Sequence, residues 1–147
     1  MIYFEYDQIQ EDVYRIYYSR YTIEFLTIES KSKGMQKGMI FTQDLLWKPK
    51  SSPIDLALRY ALFDTDGYDS RIYSYENNAL YVFAVPAYYY SGSRAYVLLR
   101  YSFFRHCDLW VRYGIFLYDN RFVISSGAEQ INGSRKSDLV VQLRLTF

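Results

Sequence analysis

Along most of the chain, apolar and polar residues alternate with a period of two, the mark of extended strands whose two faces meet different surroundings. Over residues 17–27 one parity reads Tyr17, Ser19, Tyr21, Ile23, Phe25 and the other Tyr18, Arg20, Thr22, Glu24, Leu26. The pattern returns over residues 39–47, 54–63, 95–103, 109–118 and 139–147. It predicts six strands, with residues 1–16 a candidate extra strand or an irregular lead-in, because Asp7, Glu11 and Asp12 interrupt the apolar positions there. Residues 80–85 are a second, weaker candidate, short and closed by Pro86. The fold class is therefore all-β: an antiparallel up-and-down meander of about six to eight strands, in one segment spanning residues 1–147.

The connectors sort by length. Residues 30–37 form a polar loop, 48–53 a tight turn held by Pro49 and Pro53, 64–93 a long interruption, 105–108 a tight turn, and 119–137 a second long polar loop. A soluble sandwich has no reason to place long connectors at one end and short ones at the other. Outer-membrane barrels do so, with long external loops and short periplasmic turns, and strands of ~10 residues suffice to cross the hydrocarbon at a steep tilt. The segments 64–93 and 119–137 are thus expected to be long external loops.

Arginine phase tests which face meets lipid. Arg59, Arg100, Arg112 and Arg144 all fall on the polar parity near mid-strand. An arginine at the bilayer midplane costs roughly 2–4 kcal/mol, so turning all four outward would cost on the order of 8–16 kcal/mol. They are expected to face a lumen with Arg20, where the opposite charge comes from Glu24, Asp44 and Asp55 or from acids on strands outside this chain. On the apolar parity Tyr17, Trp47, Phe103 and Phe147 lie nearest the short-turn end, one per strand, as an interfacial aromatic girdle requires.

Composition narrows the function classes. The chain has 147 residues with 18 tyrosines and 10 phenylalanines, rich in strand formers and too apolar for disorder. Its 17 basic and 16 acidic residues leave a net charge of +1, which argues against a protein built to neutralise many phosphates. One cysteine, Cys107, excludes an internal disulfide framework, and one histidine, His106, leaves little for metal or triad chemistry. No stretch is long and apolar enough for a spanning helix, and the first residues lack a secretory signal.

Several runs then match a known family. Tyr60-Ala61-Leu62-Phe63-Asp64-Thr65-Asp66, followed by Tyr68-Asp69-Ser70-Arg71-Ile72-Tyr73-Ser74-Tyr75-Glu76-Asn77, resembles a group of Bacteroidota outer-membrane proteins. Val85-Pro86-Ala87-Tyr88-Tyr89, Gly92-Ser93-Arg94, Ile124-Ser125-Ser126-Gly127, Glu129, Ile131-Asn132-Gly133 and the closing Gln142-Leu143-Arg144 fit the same pattern. These proteins are usually labelled helix-hairpin-helix domain-containing, after a small domain placed before a long β region. The resemblance covers residues 17–147. It implies that the chain is the C-terminal segment of a larger barrel in the bacterial outer membrane. It would be partnered by the lipid bilayer and by the missing N-terminal strands of the same protein. The barrel assembly machinery would read its closing strand, which ends on Phe147. No helical hairpin is present in the sequence, so the nucleic-acid connotation of the label does not transfer. On its own, such a segment is expected as a curved open sheet without a ladder from residues 139–147 to 17–27.

Candidate chemistry is sparse. Asp64, Asp66 and Asp69 around Gly67 imitate an EF-hand opening, but the twelfth position is Tyr75 rather than glutamate, which favours a polar turn. His106-Cys107-Asp108 sits in a tight turn, where adjacent residues seldom converge as nucleophile and base. Asn132-Gly133-Ser134 matches a glycosylation acceptor but is equally a turn. Tyr88, Tyr89, Tyr90 and Arg94 are candidate loop contacts for a base or sugar, weighed against a loop that packs on the barrel mouth. The arginine row could select anions, or could be a network that holds lumen strands together. The expected function is a non-enzymatic barrel segment, structural or channel-forming, without a cofactor or metal. The alternative is a soluble β domain binding a ligand or partner through its tyrosine-rich face.

Overall fold

The structure, a computed structural model, describes residues 2–12, 15–30, 34–50, 52–104, 106–119, 121–124 and 130–147, with backbone alone for residues 2–18 and Ser30. Strands make up 74% of it, and no helix occurs among the described residues. Seven strands form one antiparallel sheet: β1 (Ile2–Asp12), β2 (Arg15–Ser30), β3 (Gly34–Pro49), β4 (Ile54–Thr65), β7 (Ser91–Phe104), β8 (Cys107–Tyr118) and β11 (Arg135–Leu145). Each pairs with the next of these in chain order, and among the described residues β1 and β11 are the two unpaired edges. Two short hairpins, β5 (Ile72–Tyr73) with β6 (Ala87–Tyr88) and β9 (Val123–Ile124) with β10 (Ile131–Asn132), lie in the long connectors.

Of the two alternatives for residues 1–16, residues 2–12 take the extra strand, and the loop expected over residues 30–37 is corrected. The lead-in is a full strand, in register from Ile2 opposite Phe25 to Asp12 opposite Arg15. The backbone register sets Asp7 opposite Arg20 and Asp12 opposite Arg15. The polar loop over 30–37 is instead the end of a long hairpin, paired from Thr27 opposite Lys37 to Ser30 opposite Gly34. Gly34 has a φ of 74°, a conformation that glycine adopts without a Cβ penalty, and this lets β3 start close behind β2. Residues 80–85 form no strand: Val82 N–H donates to the Ala79 carbonyl in a turn, and one bridge joins Glu76 to Ala84.

The two faces of the sheet have inverted environments. The face carrying Leu58, Leu62, Val97, Leu99, Tyr113, Leu117, Val141 and Leu143 is the apolar one, and none of the described residues covers it. Leu139, Val141 and Leu143 are 65%, 60% and 59% exposed. The opposite face carries Thr22, Glu24, Thr42, Asp44, Arg59, Arg94, Asp108 and Arg112, and all of these are buried. The connector 66–90 buries much of this face. Within the segment 64–93 expected to be a long loop, β4 continues to Thr65, β7 begins at Ser91, and the connector between them turns back over the sheet. A loop with buried polar groups needs partners for them, and the charged face supplies those.

The core sits at the long-connector end of that same face. Phe63 makes edge contacts with Tyr88, Phe116 and Tyr118 at centroid distances of 5.4, 6.0 and 5.8 Å. Ile40, Ala61, Ile72 and Ile124 complete the cluster. Gly92 is required beside it, since a Cβ there would lie 2.1 Å from the Leu117 carbonyl oxygen.

Candidate functional site

Cross-strand register brings charges from distant stretches into rows. One row runs Arg20, Asp44, Arg59, Tyr96, Gly114, Asp138 across β2, β3, β4, β7, β8 and β11. Within it Arg59 donates two hydrogen bonds to Asp44, Nε to Oδ1 and Nη2 to Oδ2, both 2.6 Å, in a fork-to-fork pair. Its third nitrogen, Nη1, donates to the Tyr75 carbonyl and to Ser74 Oγ, both in the connector. Arg59 therefore ties two strands and the covering loop together.

The centre of the face is a four-charge cluster. Glu76, 1% exposed, descends from the connector between Arg94 of β7 and Arg112 of β8. Arg94 Nε and Nη2 donate to its two carboxylate oxygens at 3.0 and 3.1 Å, and Arg112 Nη2 donates to Oε2. Both arginines also donate to Asp138 of β11, Arg94 at 2.6 Å. Tyr88 donates its hydroxyl to Glu76 Oε1 at 2.7 Å. Burial, reinforced by the Glu76 charge, pushes the Tyr88 hydroxyl well above its ordinary pKa and keeps it a donor. Two cations and two anions balance, and this is the condition under which buried charges are tolerated. Arg94 reaches Asp138 by lying flat over Gly114, where a Cβ would approach its guanidinium to 2.5 Å.

A third group closes the short-turn end. Asp108 accepts from Arg100 at 3.0 Å, Ser102 at 2.6 Å and Arg144 at 2.6 Å, while Arg100 also donates to Asp55 at 3.2 Å. Between this group and the connector lies a cavity of about 370 Å³, lined by Asp55, Arg100, Trp110 and Arg144 below and by Asn77, Asn78 and Leu80 above.

All eight residues expected on the charged face lie on it or carry it in register. Arg20 stands opposite Asp44, and Glu24 is buried opposite Ile40. Of the girdle residues, Trp47 is half-buried, Phe103 is exposed on the apolar face, and Phe147 is exposed beyond the end of β11. The Tyr17 side chain lies outside the described residues.

The candidate loop contacts take the packing alternative. Tyr88 is fully buried in the core, and Arg94 is a strand residue of the central cluster, so neither presents a surface to a ligand. Tyr89 packs against Tyr68 and Tyr118, and Tyr90 lies under the Arg121 guanidinium, 3.6 Å away. Tyr90 has a φ of 63° and is held by Thr65, whose N–H donates to its carbonyl and whose hydroxyl accepts its N–H.

The acidic turn has a structural role as well. Asp66 accepts the Lys37 N–H at 2.7 Å, and Ser70 Oγ accepts from Gly67 N–H. Among the described residues no group of three metal-ligating side chains converges. His106, Cys107 and Asp108 do not meet either: β8 starts at Cys107, which sends Cys107 and Asp108 to opposite faces.

Sequence reasoning missed Glu76, Asp138 and Asp108 as members of the charged face. Asp138 and Asp108 were legible by extending the polar parity of β11 and β8 one residue outward. For Glu76 the available signal was charge balance: inward arginines outnumbered the strand acids assigned to them, and the deficit called for an acid from a loop.

Comparison with family models, with curated proteins and with solved structures gave no match.

Proposed function

We propose that the chain is a non-enzymatic segment of an outer-membrane β-barrel wall, with its apolar face toward lipid and the connector 66–90 folded inside as a plug. The observation that carries this reading is the inversion of the sheet: its aliphatic face is bare while its arginines and carboxylates are buried under a loop. A soluble sheet buries the opposite face, because exposed apolar area costs about 25 cal/mol per Å². Lipid removes that cost and imposes the reverse one on charge.

Balanced pairing argues for a structural role over anion selection. Arg59, Arg94, Arg100, Arg112 and Arg144 each bind a carboxylate of the same chain, which leaves their charge compensated. A filter needs a ring of uncompensated charge. The network instead fastens β3, β4, β7, β8 and β11 to one another and to the plug.

Fractionation of cells expressing the parent protein tests the reading. The expected result is retention in the outer membrane through high-salt washes and release by detergent. Release by salt alone refutes it and favours a soluble β domain whose apolar face is covered by a protein partner.

A further inference from the structure

Two features concern what lies beyond the seven strands. The first is direction. Six successive antiparallel pairings separate β1 from β11, so the two edge strands run the same way. A second copy inserted in the same orientation would meet these edges β11 to β1, as a parallel seam at both joins. An added stretch with an even number of antiparallel strands would leave one parallel seam. An odd number alone makes every join antiparallel, the arrangement in which bacterial barrels close with an even total.

The second feature is the back of the plug. Along residues 72–76 the side chains alternate: Ile72, Ser74 and Glu76 are buried against the sheet, while Tyr73 and Tyr75 are exposed on the other side. Tyr81 and Phe83 extend that side at 92% and 81% exposed, with Phe83 against Tyr75 at a centroid distance of 5.8 Å. A loop that met only lumen water would have no reason to gather four large aromatic rings on that side.

Resting on the barrel reading above, we infer that the sheet is completed by an odd number of further antiparallel β-strands from another stretch of polypeptide. Their inner face packs on Tyr73, Tyr75, Tyr81 and Phe83. The plug is then a middle layer between two walls, held to one by ion pairs and to the other by aromatic contact. The unpaired N–H and C=O groups of β1 and β11, which lipid cannot satisfy, are paired by the first and last strands of that stretch.

Photo-crosslinking in cells tests this in the parent protein as it is expressed. A benzophenone side chain is introduced in place of Phe83, of Tyr81, or of Val141 on the β11 edge, and adducts are mapped by peptide sequencing. All three positions are exposed, so the substitutions leave the core intact. The expected result is that Phe83 and Tyr81 adducts fall on inward-parity positions of strand segments outside residues 1–147. The Val141 adduct should fall on a strand of the same stretch. Adducts joining Val141 to β1 of a second copy overturn the inference. So does labelling of a cysteine placed at Tyr81 or Phe83 by a water-soluble maleimide as fast as a fully solvated thiol. Either result obtained with membrane-retained protein leaves the barrel reading intact, whereas release by salt overturns both.

Discussion

The Glu76→Gln variant bears most directly on the central cluster. The substitution keeps the size of the side chain but removes its charge. The cluster of Glu76, Asp138, Arg94 and Arg112 then passes from neutral to a net positive charge. Arg94 and Arg112 are 2% and 3% exposed at the side chain, so water cannot easily take the place of the lost carboxylate. Removing one partner of a buried ion pair costs about 3–5 kcal/mol, much of it from the charges left behind. Converted at 1.4 kcal/mol per decade, the docked plug should open roughly 10²–10³-fold more often or beyond. The hydrogen bond from Glu76 N–H to the Ala84 carbonyl, 2.9 Å, reports that opening through amide exchange. Exchange of the described amides within residues 72–88 should therefore accelerate by that factor, while the β7–β8 ladder keeps its protection. A companion variant, Glu76→Gln with Arg112→Gln, restores neutrality and should recover part of the loss. Unchanged exchange over 72–88 in the single variant, or a double variant worse than the sum of both singles, would refute the idea that paired charge holds the plug.

Other variants probe the remaining parts. Gly114→Ala places a methyl against the Arg94 guanidinium and should cost about 1–3 kcal/mol, seen as faster exchange in the same plug amides; wild-type exchange would mean the arginine moves aside freely. Val141→Arg, on the apolar face, should impair insertion by roughly 2–4 kcal/mol if it lies near the midplane, whereas Arg144→Leu should be far milder, read from heat-modifiable folded barrel in cells. The reverse order would mean the faces are misassigned. Tyr88→Phe removes the hydroxyl bond to Glu76 and should loosen the plug by about 1–3 kcal/mol at neutral pH. Because the Tyr88 pKa is raised in the folded state, its contribution is complete below the unfolded value of about 10 and is lost as pH rises through the folded one. The wild type should therefore weaken at alkaline pH, and Tyr88→Phe should weaken less steeply; parallel pH profiles would show that this hydroxyl is not the group responsible. Deleting Phe147, which stands beyond the last ladder residue, should lower folded yield in cells while leaving amide exchange in the sheet unchanged.

The strands and their faces were legible in the sequence because period-two alternation is a local property. Each residue of β4, β7, β8 and β11 declares its face by parity, and a one-residue slip would turn Arg59, Arg100 and Arg112 outward. The extra strand β1 was harder to see. Asp7 and Asp12 look disruptive until the register sets them opposite Arg20 and Arg15, and register is a relation between strands rather than a property of one. The path of the connector 66–90 was not legible at all. A tyrosine-rich loop with a single Glu76 reads as exposed, since nothing within it supplies the two arginines that make burial of that carboxylate favourable. Those arginines lie 18 and 36 residues away in sequence. Only folding of β7 beside β8, with Gly114 leaving room for Arg94 to lie flat, creates the site that draws Glu76 inward. Alternation determined which residues share a face, and the assembled sheet decided which of them the loop would cover, because charge compensation at a distance exists only once the strands are side by side.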